Sequence, residues 1–321
     1  MQRPKYSVIV PVYNRPDEIN ELLQSLSRQH YRNFEVIIVE DGSTNPCRDI
    51  VDSFRDKLQL EYVVKQNSGP GPSRNVGYAM AKGDYMVVFD SDCIIPPEYF
   101  TVVDEALNRD LFDAWGGPDR AHQNFTLLQR AMAYSMSSVL TTGGIRGGKK
   151  RVGSFQPRSF NMGISRKVFE RTEGFKFNRL AEDIEFSIRM RKLGLKAVLL
   201  AEAFVYHKRR TNLTQFYSQV ASFGKGRVQV GRAHPGEVKI THWFPAVFLL
   251  GLFSPVVLWL ISKSFALAVL MLYVIYFVGI FVDSWRVNKS LPVALLSIPS
   301  AFVQLTGYGS GFLRQLFASG K

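Results

Sequence analysis

Two apolar runs without a single charge, Trp243–Ile261 and Phe265–Val282, follow one another with only Ser262-Lys263-Ser264 between them. A helical crossing of a hydrocarbon core about 30 Å thick needs roughly 20 residues, so each run is just long enough. Such a segment satisfies its backbone N–H and C=O groups internally only as a helix, and the pair therefore predicts a membrane hairpin. Everything else in the chain has to be arranged around that anchor.

The charge distribution sets its orientation. The chain of 321 residues carries 40 Lys+Arg and 27 Asp+Glu, and residues 140–240 alone hold 21 basic and 7 acidic side chains, leaving the rest with 19 and 20. This basic block immediately precedes the first run, and Arg286 and Lys289 follow the second, which predicts that both ends of the hairpin lie in the cytoplasm, on the cell (inner) membrane. A basic surplus beside membrane spans fits an anionic membrane surface or a lipid phosphate, and we expect no nucleic-acid partner. The 46% apolar content excludes disorder. Cys47 and Cys93 are the two cysteines, too few for a disulfide framework or a zinc cluster, which points to a reducing compartment. The chain opens Met1-Gln-Arg-Pro-Lys and enters a strand-like run, so no signal peptide is expected.

The first half alternates strand and helix patterns. Tyr6–Val12, Phe34–Val39, Leu60–Val64 and Tyr85–Phe89 read as strands, with helical spacing over 17–28, 47–56 and 72–81 between them. The strands are almost wholly apolar, as when helices cover both faces, and repeated β-α-β units predict a doubly wound, mostly parallel α/β sheet. Further on, 114–117 reads as a short strand, Gly143–Gly153 as a basic loop, 181–193 as a helix opening with acids, 197–205 as a strand, and 212–232 as a basic amphipathic helix against the membrane. The uncharged segment 290–313 contains Pro292 and Pro299 and reads as a third span or an interfacial segment, the latter preferred from its flanking charges.

In such sheets ligands bind at the carboxyl ends of the strands. Those ends carry Pro11-Val-Tyr-Asn14, Glu40-Asp-Gly-Ser-Thr44 and Asp90-Ser-Asp92, so that four carboxylates share one rim. Asp90 and Asp92, one residue apart at a strand end, suit a hard divalent cation that takes oxygen ligands and keeps substrate phosphates as the others.

With these motifs stand Asn67-Ser-Gly-Pro-Gly-Pro-Ser-Arg-Asn-Val-Gly77, Asn161-Met-Gly163 and Glu182-Asp183. Taken in order over about residues 5–230, they resemble the glycosyltransferase family 2 enzymes of the GT-A fold, membrane-anchored, non-processive bacterial type. The resemblance implies a nucleotide-sugar donor, with UDP favoured. Pro11, Tyr13 and Asp41 would hold the base, Glu40 replacing the usual first acid of the pair. Arg74 and Ser91 would line the donor site, Asp90 would face the ribose, and Asp92 with His207 would ligate Mn²⁺ or Mg²⁺. Asp183 would be the general base, and the anomeric carbon would be inverted.

The processive synthases of the family carry Gln-x-x-Arg-Trp, whereas here Gln215 precedes Phe-Tyr-Ser and Gln219 precedes Val-Ala-Ser-Phe. One sugar per encounter is expected. The expected organisation is a cytoplasmic catalytic domain, 1–235, followed by a membrane region, 236–321. A hydroxyl of a lipid-linked saccharide or other membrane-associated acceptor is the expected sugar receiver. The alternatives are a polyprenyl-phosphate sugar synthase and a catalytically inactive sugar-nucleotide-binding membrane scaffold.

Overall fold

The computed structural model describes residues 4–120, 125–142, 155–208 and 210–318. The basic segment Gly143–Gly153 lies outside the described residues. By contact the chain divides into two units, one made of residues 1–122 and 155–208, the other of 123–154 and 209–321.

The first unit is built on β1 (Tyr6–Val12), β2 (Phe34–Glu40), β3 (Leu60–Val64), β4 (Tyr85–Phe89), β5 (Cys93–Ile94), β6 (Ala114–Gly116), β7 (Asp119–Arg120), β8 (Asn161–Ser165), β9 (Ala197–Leu199) and β10 (Val205–His207). Seven strands form one sheet in the order β3-β2-β1-β4-β8-β6-β9, and β5-β10-β7 form a small second sheet. Strands β1 to β4 are mutually parallel, joined through helices Pro16–Ser27, Arg48–Asp52 and Pro70–Met80. Side chains in a strand alternate between faces. Accordingly Val8, Val10, Val36, Ile38, Val87 and Phe89 enter one core, while Ile9, Ile37, Val39, Met86 and Val88 enter the other. Two-sided burial explains why β1, β2 and β4 are mostly apolar, each buried aliphatic contributing about 1.5–3 kcal/mol, and the buried polar pair in β1 and β2 is satisfied internally, Ser7 Oγ donating to Glu35 at 2.6 Å.

Beyond β4 the sheet, mostly parallel as expected, takes in one antiparallel strand that the sequence pattern did not mark. Strand β8 runs antiparallel to both β4 and β6. Its sequence, Asn-Met-Gly-Ile-Ser, lacks the β-branched run that marks a strand, so long-range pairing decides it. The strand expected over 197–205 is two, β9 in the large sheet and β10 in the small one, separated by the turn around Ala201–Ala203.

In the second unit the expected first span is broken. Phe244–Gly251 and Ser254–Ile261 are separate helices, and the segments Ile240–Gly251 and Ser254–Ile261 meet at 53°. Pro255 explains the break: it has no N–H to donate, and its ring clashes with the carbonyl of a preceding turn. The second run is one helix, Lys263–Asn288, and the third apolar segment is a continuous helix, Leu291–Phe317, with Pro299 inside it. Both are long and apolar enough to cross a membrane.

Helix Leu213–Ala233 groups by contact with these helices. It packs along Leu291–Phe317 through a run of small residues. An added Cβ on Gly307 would lie 2.5 Å from Val220, and one on Gly311 would lie 1.9 Å from the Ala221 carbonyl oxygen. The Gly-x-x-x-Gly spacing of these two residues is what lets the backbones approach.

Candidate active site

The rim at the carboxyl ends of β1 to β3 is set by register. Glu40, the last residue of β2, aligns with Val12 on one side and Val64 on the other, so Asp41 and Lys65 emerge as neighbours. Asp41 Oδ1 accepts from Lys65 Nζ at 2.6 Å and from the Ser68 N–H at 3.0 Å, and Oδ2 accepts from the Gly69 N–H at 2.8 Å. Burial alone would raise the Asp41 pKa, but the lysine and the two amides outweigh it and hold the carboxyl below its ordinary value. Gly69 has φ +104°, and a Cβ there would sit 2.6 Å from the Asn178 carbonyl oxygen, so only glycine makes this turn.

Glu40 faces inward. Its carboxylate accepts from Cys47 N–H at 2.9 Å and Tyr62 Oη–H at 3.0 Å, and from the Ser43 hydroxyl. Its work is to fold the 41–47 loop, and it is 1% exposed. Asn14 closes the same loop from the β1 side: at φ +53° its N–H donates to Ser43 Oγ and its side-chain oxygen accepts from the Asn45 N–H at 3.0 Å. Pro11 lies within β1 opposite Val39, while Tyr13 stands just beyond the strand, 49% exposed.

Arg74, in helix Pro70–Met80, is 3% exposed. Its guanidinium donates to Asp90 Oδ1 at 2.8 Å and Glu182 Oε1 at 2.7 Å, and lies 5.3 Å from the Phe175 ring centroid. Burial would lower the Arg74 pKa, but the two carboxylates more than offset this and raise it. Burial moves Glu182 the other way, above its usual value. Glu182 is thus a buried strut. Asp183, its neighbour in the first turn of helix Glu182–Lys192, accepts from the Ile184 N–H at 2.8 Å and lies 3.6 Å from Arg158 Nη1.

Ser91 is buried between the two aspartates, and Asp92 leads directly into β5. In the small sheet His207 pairs with Cys93 in antiparallel register, and the Lys208 N–H donates to the Asp92 carbonyl at 3.1 Å. That pairing sets His207 Nε2 3.1 Å from Asp92 Oδ1, residues 92 and 207 being brought together by two short strands. The imidazole stacks on Phe160, with centroids 5.1 Å apart. Asp92 Oδ2 pairs with the Arg15 guanidinium. Burial would raise the Asp92 pKa, yet His207 and Arg15 pull it well below the usual range.

Asp92, Cys93 and His207 place one ligand atom each within 4.8 Å of one another. Burial pushes the Cys93 thiol well above its ordinary pKa, and it donates to the Phe160 carbonyl, which leaves carboxylate and imidazole as the donor set. A carboxylate oxygen and an imidazole nitrogen side by side fit Mn²⁺ or Mg²⁺. Arg15, Lys65 and Arg158 were not legible as partners of these acids. The only signal was position, since Arg15 and Lys65 follow the ends of β1 and β3.

The family model described as Glycosyl transferase family 2 matches residues 7–172, just over half of the chain. The fold and the acids at its strand ends define an α/β protein of the glycosyltransferase kind, and this chain belongs to glycosyl transferase family 2. Over 98 residues it is 42% identical to Staphylococcus aureus poly(ribitol-phosphate) beta-N-acetylglucosaminyltransferase TarS, a stretch covering 29% of this chain and 17% of that protein. The match thus spans under a fifth of that relative's length. Among solved structures, the mannosyltransferase PcManGT from Pyrobaculum calidifontis, in complex with GDP-Man and Mn²⁺, superposes with TM-score 0.62 at 17% identity, covering 100% of this chain and 89% of that one. Residues 1–349 of S. aureus TarS, in complex with UDP-GlcNAc, give TM-score 0.51 at 21% identity, covering 97% and 92%. At these identities the likeness is one of fold, and it is the GT-A fold anticipated from the motifs.

Proposed function

We propose that this chain transfers one sugar from a nucleotide-sugar, UDP-linked in preference, to a hydroxyl of a lipid-linked saccharide or another membrane-associated acceptor, with inversion. The observation that carries the reading is the meeting of Asp92 with His207 at the rim where β1, β2 and β4 end. Asp92 and His207 would hold Mn²⁺ or Mg²⁺, which when bound supplies positive charge to the diphosphate leaving group. Arg74 fixes Asp90 toward the ribose position, and the Asp41–Lys65–Gly69 turn shapes the wall for the base. Asp183 is the partly exposed acid at the helix N-terminus, with Arg158 Nη1 3.6 Å away, and it would take the proton of the acceptor hydroxyl.

The acceptor reading rests on the apolar helices. A catalytic unit tethered to a membrane meets bilayer-bound acceptors at high effective concentration. We place it on the cytoplasmic face of the cell membrane, from the basic residues flanking the spans.

The test is calorimetry on detergent-purified protein with UDP, GDP and dTDP, each with and without Mn²⁺. Metal-dependent binding of UDP, lost in Asp92→Ala, is expected. Selective binding of GDP would move the donor to a GDP-sugar, and folded protein that binds none of the three overturns the transferase reading.

A further inference from the structure

The Arg15–Asp92 pair has no role in the transfer described above, yet it stands on the carboxylate a divalent cation would use, at the oxygen turned away from His207. We propose that Arg15 couples cation binding to nucleotide binding: its guanidinium holds Asp92 until cation and diphosphate arrive together, and then turns to the diphosphate. The inference rests on the donor-site reading of the rim.

The backbone around Arg15 is anchored by the loop and the helix, while its side chain is held at the tip, by Asp92. Asn14 is tied to the 43–45 loop by hydrogen bonds to Ser43 and Asn45, and Pro16 opens helix Pro16–Ser27 with its φ fixed by the ring. Arg15 occupies the N-cap position without making a side-chain cap, and its side chain remains 31% exposed. A long side chain on a fixed stem at the rim can exchange partners without disturbing the fold.

Charge dictates the order of events. Asp92 has two oxygens; one faces His207 and the other is taken by Arg15. A divalent cation arriving alone would have to share one carboxylate with a guanidinium, and like charges at contact distance repel strongly at a partly buried site. Nucleotide arriving alone would bring its diphosphate against Asp90 and Asp92. Only the two together leave every charge paired, because the diphosphate then offers acceptor oxygens to both the cation and Arg15, whose planar fork suits phosphate. Lys208 is not an equivalent donor here, since it pairs with Glu21 at 2.8 Å. Arg74 is committed to Asp90 and Glu182.

The experiment measures four binding constants by calorimetry: Mn²⁺ alone, UDP alone, UDP with saturating Mn²⁺, and Mn²⁺ with saturating UDP. Wild type, Arg15→Ala and Arg15→Lys are compared, with thermal midpoints as a check on folding. In wild type Mn²⁺ should raise UDP affinity by roughly 5–150-fold, with the same factor in the reciprocal titration. Arg15→Ala should bind Mn²⁺ alone more tightly than wild type, bind UDP with Mn²⁺ more weakly, and show a smaller coupling factor than wild type. Arg15→Lys should recover part of the coupling, because the charge remains. Unchanged binding of Mn²⁺ alone in Arg15→Ala, with UDP and Mn²⁺ still binding together, overturns the coupling role and leaves the donor site standing. Wild type that binds no nucleotide with any cation overturns the donor site and this inference together.

Discussion

Arg74 Nη1 donates to Glu182 Oε1 at 2.7 Å, tying the glycine-rich turn after β3 to a helix that begins more than a hundred residues later. With Asp90 on its other arm, the guanidinium joins three motifs that are separate in sequence into one rigid floor. Removing it leaves Glu182 buried with only a weak side-chain donor described beside it, the Ser159 hydroxyl at 3.5 Å. Arg74→Ala should therefore cost about 3–5 kcal/mol, the usual loss when one member of a buried pair is deleted. Thermal midpoints in detergent read this directly, and Arg74→Ala with an unchanged midpoint would show that the clamp is not structural.

Asp41 gives a pH-dependent contribution with a definite sign. Its carboxyl pKa is depressed in the folded chain, so the stabilisation is complete above the ordinary value of 3.8 and disappears as the pH falls through the depressed one. Asp41→Asn keeps the shape but forfeits the Lys65 pair, with an expected loss of about 1–3 kcal/mol near neutrality. The gap between variant and wild type should shrink as the pH is lowered below 3.8. A gap that stays constant down to acid unfolding would mean that the charge of Asp41 contributes nothing.

His207 is the proposed nitrogen ligand, held 3.1 Å from Asp92 by the β5–β10 pairing. His207→Ala should weaken Mn²⁺-dependent UDP binding by on the order of 10–100-fold, a loss that even supporting residues of metal sites produce. Binding of UDP without metal should change little. A chelator added to wild type should reproduce the variant's behaviour, and equal UDP affinity in both proteins with Mn²⁺ present would remove His207 from the cation site.

These predictions draw unequally on what the sequence made visible. Tyr6–Val12, Leu60–Val64 and Tyr85–Phe89 form strands over the bounds expected from their apolar runs; for the first and last, burial on both faces leaves little alternative, while Leu60–Val64 is the half-exposed edge strand. The acids at the strand ends were equally visible, since topology alone brings strand ends together. Their partners were not. Arg15 reaches Asp92 across 77 positions and Arg74 reaches Glu182 across 108, distances over which no local pattern carries information. The roles of Glu40 and Asp41 also needed coordinates: they are adjacent acids just before Gly42, yet one folds its own loop while the other holds the next turn. Pro255 was legible as a residue, but its effect on an otherwise uninterrupted apolar run emerged only as a 53° bend.

Asp183 separates binding from turnover. Because its partners are Ile184 N–H and Arg158, and not Arg74, Asp183→Asn should leave the donor floor intact. UDP binding with Mn²⁺ should stay within a few-fold of wild type, while transfer from UDP-sugars to a bacterial membrane lipid extract should fall by about 10²–10⁴, the usual contribution of a positioned base. Transfer at the wild-type rate would assign proton removal elsewhere.

The anchor offers the cleanest test of orientation, because the native thiols do not interfere. Cys47 and Cys93 are both buried, so a single introduced cysteine reports against a low background. Helix Lys263–Asn288 has 26 residues, a length of about 39 Å at 1.5 Å per residue, which exceeds a hydrocarbon core of about 30 Å. Ser262 and Ser290 flank it. With the basic flanks in the cytoplasm, Ser290→Cys should be shielded from a membrane-impermeant maleimide in intact cells and label only after permeabilisation. Ser262→Cys should label from outside. Equal labelling of both from one side would mean that this helix does not cross, and the membrane-bound acceptor would lose its main support.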